Sequence, residues 1–140
     1  MPAGPADSPG FLLWHATLRW QRDIAAVLNP LELTHVQFVL LASLWWLDSQ
    51  GKLPNQLELA RHAGTDVKMS SQVLGRLEEK GLLEREVDAQ DSRAKRLRIT
   101  EKGKRKAAAA IEVVEEVDRR FFEPVDDRKA LLGILKRLAG

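Results

Sequence analysis

A polar stretch in the middle of the chain carries side chains of the types that can hydrogen-bond to nucleic-acid bases. Apolar residues at Val67, Val73, Leu74 and Leu77 have helical spacing, which places the polar residues between them on the opposite face. Arginine and lysine pair with guanine, glutamine pairs with adenine, and serine bonds to a base or a phosphate. The pattern predicts base contacts in a DNA major groove, the alternative being a solvated polar face. The predicted contacts are Lys68, Ser70, Ser71, Gln72 and Arg76.

Positive charge is concentrated in and after this stretch. The 140-residue chain has 22 basic and 20 acidic residues, a formal net charge of +2. Residues 1–54 carry −1, residues 55–106 carry +4 and residues 107–140 carry −1. Residues 93–106 hold eight basic residues against one acid. A basic centre between slightly acidic flanks favours a polyanionic partner, the alternative being a solvated helix start.

Other kinds of site find no support in the sequence. The absence of cysteine excludes disulfides, thiol nucleophiles, thiol redox sensing and thiolate zinc sites. His15, His35 and His62 lack the spacing of metal ligands, so no metal site is expected. No phosphate-binding glycine loop or nucleophile motif is present, so we expect neither an enzyme nor a cofactor. The longest apolar run, residues 36–47, is too short to span a membrane, and no signal peptide is recognisable, which predicts a cytoplasmic protein.

Periodicity and capping residues predict the elements that position the polar stretch. Helices are expected at about 10–28, 34–49, from the Asn55 cap to Ala63, and at about 67–80, 101–122 and 126–138. The short gap containing Gly64 has the spacing of a helix-turn-helix. After Gly81 the period changes to two, which predicts a two-stranded hairpin. The fold class is therefore mainly α with a two-stranded β wing, a winged helix-turn-helix preceded by a disordered tail at residues 1–9.

The predicted hairpin has an apolar face and a charged face. Glutamates of the first strand lie opposite arginines of the second, so these arginines form cross-strand ion pairs or contact phosphate. Arg93 and Lys95, near the tip, lie beyond the glutamates. The inward residues are Leu83, Val87, Leu97 and Ile99, and the charged face consists of Glu84, Glu86, Arg96 and Arg98.

Three positions are predicted to contact phosphate. Asn55 and Gln56 lie at the N-terminus of the third helix, where backbone amides favour anions. Cations at the start of the fifth helix are unfavourable beside the positive end of the helix dipole, so we expect another group to bind them. Phosphate is one candidate, and Lys104 is the predicted contact there.

The last two helices carry apolar stripes. Along the fifth helix apolar residues recur at spacings of three and four, a seam that requires a partner helix. The sixth helix carries a second stripe of leucine and isoleucine. We expect these stripes to form a dimer interface that includes Ala110, Val114, Val117, Phe121 and Leu135.

Four motifs, in this order and spacing, resemble those of the MarR family (multiple antibiotic resistance regulators). They are Leu33-Thr34 with Gln37, the run from Leu77 to Arg85, Asp91-Ser92-Arg93, and the run from Ile99 to Gly103. The resemblance covers residues 10–140 as a single MarR-like domain. It implies a winged helix-turn-helix DNA-binding region at 34–106 and dimerisation helices at 10–28 and 107–140.

The resemblance also implies a function and several residue roles. The family is similar in being homodimeric and in regulating transcription through pseudo-palindromic sites in double-stranded DNA, here as a repressor released by a small molecule. By resemblance Asp91 braces the wing tip and Arg93 enters a minor groove, with Lys95 beside it. A small aromatic or amphipathic effector would bind in a cleft lined by Trp14, His15 and Trp46. The alternative is a winged-helix dimer that acts as a non-specific architectural DNA-binding or protein-interaction module.

Overall fold

Six α-helices and a two-stranded antiparallel sheet make up the part of the chain that the computed structural model describes, residues 4–87, 90 and 95–140. Short 3-10 turns at Pro5–Asp7 and Asn29–Leu31 come before α1 and between α1 and α2. The elements are α1 (Pro9–Leu28), α2 (His35–Ser49), α3 (Gln56–Ala63), α4 (Val67–Glu79), β1 (Leu83–Val87), β2 (Lys95–Ile99), α5 (Glu101–Phe121) and α6 (Arg128–Ala139).

Side-chain caps account for where the helices begin. Thr34 and Gln37 form a reciprocal capping box, with the Gln37 amide 3.1 Å from Thr34 Oγ1. Asp66 and Thr100 accept from the third amide of α4 and of α5, each at 2.9 Å. Ser8 caps α1, so within the expected tail residues 4–9 form a turn and the first helical residue rather than an unstructured segment. Residues 1–3 lie outside the described part.

The core is built around α2. This helix packs against α1, α3, α4, α5 and β2, and its Leu40, Leu41 and Leu44 are fully buried. These leucines make α2 the central helix of the core. Trp46, near its end, is an exception because it is 57% exposed.

The wing has the predicted pairing but a shorter apolar face. Leu83 pairs with Ile99 and Arg85 with Leu97, which puts these apolar residues on the core side. Val87 shares their face, but it is 65% exposed because the hairpin runs beyond the core before reaching its tip. Val87 therefore lies on the predicted face of the hairpin, but the expectation that it packs inward on the core is wrong.

The apolar seam of α5 already has its partner within the same chain. Ala110 is fully buried and Val114 and Val117 are nearly so, in one cluster with Ile24 and Leu28 of α1. The helix packs against α1 and α2. Because a helix of the same chain fills the seam, Ala110, Val114 and Val117 are core residues, and the prediction that they form the dimer interface is wrong.

The last helix, α6, stands in contrast to α5. It has no buried residue and is not packed extensively against any other element. Leu138 is 72% exposed, and Leu132, Ile134 and Leu135 are also exposed. The first turns of α1 likewise expose Phe11, Leu12, Leu13 and Trp14. Among the described residues, nothing covers these two apolar surfaces.

Gly103 allows the wing to sit directly against the start of α5. A Cβ added to this residue would lie 2.0 Å from the Leu82 carbonyl oxygen and 2.8 Å from a side-chain carbon of Ile99. The Thr100 hydroxyl donates to the Gly81 carbonyl at 2.7 Å, and its amide donates to Leu82 at 3.1 Å. The wing is therefore anchored at its base to α5.

Within the described residues, no single helix is long and apolar enough to cross a membrane. Only the segments Pro9–Leu31 and His35–Ser49 taken together reach the required length and composition, and they are bent by 76°.

Candidate nucleic-acid interface

Four of the five side chains predicted on the base-contacting face of α4 are exposed. They are Lys68, Ser71, Gln72 and Arg76, and Leu74 and Leu77 bury the opposite face. Ser71, Gln72 and Arg76 follow Lys68 by three, four and eight residues, so the four lie along one side of the helix. α4 therefore presents two cationic groups, an amide and a hydroxyl to any molecule that approaches this side.

Ser70 does not belong to this face. It is fully buried, its Oγ lies 2.7 Å from the Thr65 hydroxyl, and it donates to the Asp66 carbonyl at 2.7 Å. These bonds close the turn between α3 and α4, so Ser70 has a structural role and the prediction that it contacts DNA is wrong. The sequence carried a signal for this, because Ser70 precedes Leu74 by four residues and is in register with the buried stripe.

At its edges the α4 stripe is also less buried than expected. Val67, the first residue of the predicted stripe, is exposed in the first turn of α4, as is Met69 two residues later. The apolar contact of α4 therefore begins in its second turn.

The N-terminus of α3 is rigidly capped. Asn55 Oδ1 accepts from the Glu58 amide at 2.9 Å, and Glu58 Oε1 accepts from the Asn55 amide at 3.4 Å. The Gln56 side chain donates to the Val67 carbonyl at 3.4 Å, which links α3 to the start of α4. The side chains of Asn55 and Gln56 are thus engaged, and helix geometry leaves the amides of Gln56 and Leu57 without a partner inside the helix.

Lys95 is exposed at the outer end of β2, paired with Val87. Asp91 and Arg93, the other two predicted wing contacts, lie outside the described residues. Arg98 bonds diagonally across the hairpin to Glu86, with distances of 2.6 and 3.4 Å. This hydrogen bond lowers the pKa of Glu86 below its usual value. Of the two interpretations left open for Arg98, its position matches the cross-strand ion pair.

Arg96 pairs with a different element. Its Nη1 lies 2.7 Å from Glu58 Oε1 on α3 and donates to the Leu53 carbonyl at 3.3 Å. The neighbouring Leu97 amide donates to the Pro54 carbonyl at 2.8 Å. The wing is therefore tied to the segment that leads into α3, a link that the alternating pattern of the hairpin did not predict.

The lysines at the start of α5 have partners inside the protein. Lys102 Nζ donates to the Lys80 carbonyl at 2.9 Å, and Lys106 Nζ donates to the Leu31 carbonyl at 3.1 Å. Lys104 lies 3.6 Å from Asp48 and 3.3 Å from Glu101. Carbonyls at the ends of α4 and of the 3-10 turn attract cations. These contacts offset the unfavourable position of the lysines next to the positive end of the α5 dipole. The position of Lys104 supports an ion pair with α2 rather than the predicted phosphate contact.

The three residues predicted to line an effector cleft are not brought together in the protomer. Trp46 lines an open groove of about 290 Å³ between α2 and α5, whose other lining residues are Ala42, Trp45, Ser49 and Ile111. Trp14 and His15 are exposed on α1 and do not line it, and the His15 ring lies 4.4 Å from that of Phe11. The groove is mostly apolar, which suits an aromatic group.

A polar contact that the sequence analysis missed joins α1, α2 and α5. Trp20 Nε1 donates to Asp118 Oδ1 at 2.8 Å, and the Trp20 ring meets the His35 ring edge-on at 5.1 Å. Burial lowers the pKa of His35, and the nearby Asp118 carboxylate offsets part of that effect. Sequence separations of 15 and 98 residues gave no pattern that could reveal this cluster. Across the described residues, no group of three or more metal-ligating side chains is placed to hold an ion.

The sequence of this chain is similar to that of a known protein family and of a known transcription regulator. Residues 29–118 match the family described as ArnR1-like, winged-helix domain. The chain is 42% identical to the HTH-type transcriptional regulator YdcH of Bacillus subtilis (strain 168) over 136 residues, which is 97% of this chain and 92% of that protein.

Solved structures of transcription regulators have the same fold. A transcriptional repressor, CouR, bound to a 23-mer DNA duplex has a TM-score of 0.84 and 31% identity, over 96% of this chain and 94% of that one. CouR from Rhodococcus jostii RHA1 bound to p-coumaroyl-CoA has a TM-score of 0.83 and 25% identity, over 97% and 92%. A MarR-family regulator from Rhodococcus sp. RHA1 has a TM-score of 0.80 and 26% identity, over 95% and 91%.

Proposed function

Since the chain belongs to the ArnR1-like winged-helix family and to the MarR family of transcription regulators, which are not enzymes, we propose that it is a homodimeric, sequence-specific DNA-binding repressor. Its operator would be pseudo-palindromic, and a small molecule would release it. The observation that carries the proposal is the exposed polar face of α4 beside the capped N-terminus of α3.

The α4 face supports direct base recognition. Gln72 and Arg76 lie one turn apart, so their side chains reach neighbouring base pairs when the helix enters a major groove. A glutamine that bonds bidentately to adenine, or an arginine that bonds to guanine, contributes about 1–3 kcal/mol of discrimination against the wrong base. Ser71 and Lys68 extend the same face toward the start of the helix.

Duplex selection from a random pool, followed by affinity measurement, tests this function. We expect a palindromic consensus whose half-sites are about one helical turn, 34–36 Å, apart. Gln72→Ala and Arg76→Ala should lower affinity for the consensus far more than for random duplex. Gln21→Ala and Arg22→Ala, exposed on α1, are the matched controls and should leave both affinities unchanged. Equal affinity of the wild type for consensus and random duplex would support the architectural module instead.

The dimer is supported by the two uncovered apolar surfaces. The start of α1 and the length of α6 expose large apolar side chains that water would otherwise contact, and soluble monomers rarely leave patches of this kind uncovered. A second copy of the chain, arranged about a two-fold axis, would bury both surfaces and place two α4 helices in successive grooves. Leu135 and the partly exposed Phe121 remain in this proposed interface. The buried α5 residues do not.

The effector proposal rests on the groove beside Trp46. Its apolar lining suits an aromatic acyl group, and CouR from Rhodococcus jostii RHA1 was solved with p-coumaroyl-CoA. Titration with aromatic acids and their coenzyme A thioesters should quench tryptophan fluorescence and release the operator duplex. The ligand response should be lost in Trp46→Ala and retained in Trp14→Ala. Loss in the second variant alone would move the site to α1.

A further inference from the structure

An ion pair between Arg96 and Glu58 joins the wing to the first turn of α3. The two side chains meet at 2.7 Å, and the same guanidinium nitrogen donates to the Leu53 carbonyl at 3.3 Å. The backbone continues the contact, since the Leu97 amide donates to the Pro54 carbonyl at 2.8 Å. Strand β2 is thus held along the segment that ends in the α3 cap.

Glu58 has opposing effects at this position. Its carboxylate stabilises α3, because it completes the capping box with Asn55 and lies near the positive end of the helix dipole. The same carboxylate is 56% exposed at the end of α3 where a DNA phosphate would approach the amides of Gln56 and Leu57. An uncompensated negative charge there would repel the phosphate.

We propose that Arg96 is a positioning residue for DNA binding, which neutralises Glu58 so that a backbone phosphate can approach the N-terminus of α3. This inference rests on the proposed DNA-binding function and concerns the phosphate contacts, not the bases. Arg96 acts through Glu58, so its effect is the same for every DNA sequence. The cap requires an acceptor at position 58, whereas DNA binding requires that the acceptor carry no net charge, and Arg96 reconciles the two requirements.

The test is a double-mutant cycle of Arg96→Met, Glu58→Gln and their combination in the full chain. Methionine keeps much of the apolar stem of arginine, and glutamine keeps the cap acceptor while it removes the charge. Dissociation constants for the selected duplex and for random duplex are measured over a series of salt concentrations. The thermal midpoint of each variant is recorded at one protein concentration. Arg120→Met with Glu116→Gln, an ion pair of 2.9 Å on α5, is the control for the change in net charge.

Arg96→Met should weaken binding of both duplexes equally, by about fivefold to tenfold at low salt. Because Arg96 acts through Glu58 and does not itself neutralise a phosphate, the slope of log affinity against log salt should change by clearly less than one. Glu58→Gln alone should bind at least as tightly as the wild type, and the double variant should bind within about twofold of the wild type, since one unfavourable charge is removed with its partner. The control variants should show wild-type affinity and slope.

Three results would overturn the inference. A double variant as weak as Arg96→Met would show that Arg96 contacts phosphate itself or only holds the wing. Wild-type affinity in Arg96→Met would show that Glu58 lies away from the DNA. Weakening by Glu58→Gln alone would show that its charge is needed, and this single variant decides the matter even where Arg96→Met folds poorly. A wild type that binds no duplex refutes the proposed function itself, whereas these three results leave that function intact.

Discussion

Replacing Gly103 by alanine tests the contact between the wing and α5. The added Cβ would lie 2.0 Å from the Leu82 carbonyl oxygen, about 1 Å inside the closest approach that real Cβ atoms show. Backbone stands on both sides, so α5 and the turn before β1 must move apart. Overpacking of this kind costs about 1–3 kcal/mol and occasionally more.

The helical preference of alanine acts in the opposite direction. Alanine is favoured over glycine inside a helix by about 1 kcal/mol, so the net loss is smaller than the steric cost. Gly75→Ala in α4 isolates that gain, because no atom lies within 4 Å of a Cβ at that position. The difference between the two variants therefore measures the steric cost, which we expect to be about 2–3 kcal/mol.

Urea and thermal unfolding at one fixed protein concentration provide the assay, since dimerisation makes the midpoint concentration-dependent. Each kcal/mol corresponds to about 3–5 °C for a chain of this size, so Gly103→Ala should unfold roughly 6–15 °C below Gly75→Ala. The same variant should lose operator affinity, because the base of the wing is displaced. A Gly103→Ala protein as stable as Gly75→Ala would refute the close approach of Leu82.

Three further predictions concern other parts of the molecule. Leu135→Glu should sediment as a monomer with weak operator affinity, whereas Lys136→Glu on the same helix should remain dimeric; a dimeric Leu135→Glu would remove α6 from the interface. Ser70→Ala should lower the free energy of unfolding by about 1 kcal/mol and leave base preference unchanged, because its buried hydroxyl bonds within the turn; an altered consensus would contradict its structural role. The lowered pKa of His35 means that the unfolded chain binds more protons than the folded one just below pH 6.5. The unfolding free energy should therefore fall as the pH drops through that range, and His35→Gln should reduce this slope; an unchanged slope would exclude His35 as its source.

Local sequence patterns predicted the helices and strands, because the start and the periodicity of each element depend on interactions between residues close in sequence. Caps at Thr34, Asp66 and Thr100 bond to amides three residues away, so the sequence shows both partners at once. The helical period of α4 and the alternation of the wing likewise follow from backbone geometry, and the structure confirms the element order. Placement of the exposed side chains of α4 followed from the same period.

A local pattern shows that a side chain needs a partner, but it does not show which partner the side chain finds in the folded chain. The α5 seam required a packed helix, and the protomer supplies α1, so Val114 and Val117 became core. Lys104 required an anion, and Asp48 of α2 lies within reach. Each of these partners is distant in sequence, and no period or motif records it.

The sequence by itself determined the winged helix-turn-helix order, the helix boundaries and the polar face that carries Gln72 and Arg76. Only the tertiary structure decided which charges remain available to a ligand and which are used internally. Arg96 shows the reason, since cross-strand geometry offered it Glu86 while the packing of β2 against α3 brought Glu58 within 2.7 Å. Period and caps are properties of a segment, but the pairing of long charged side chains depends on which segments the core brings into contact.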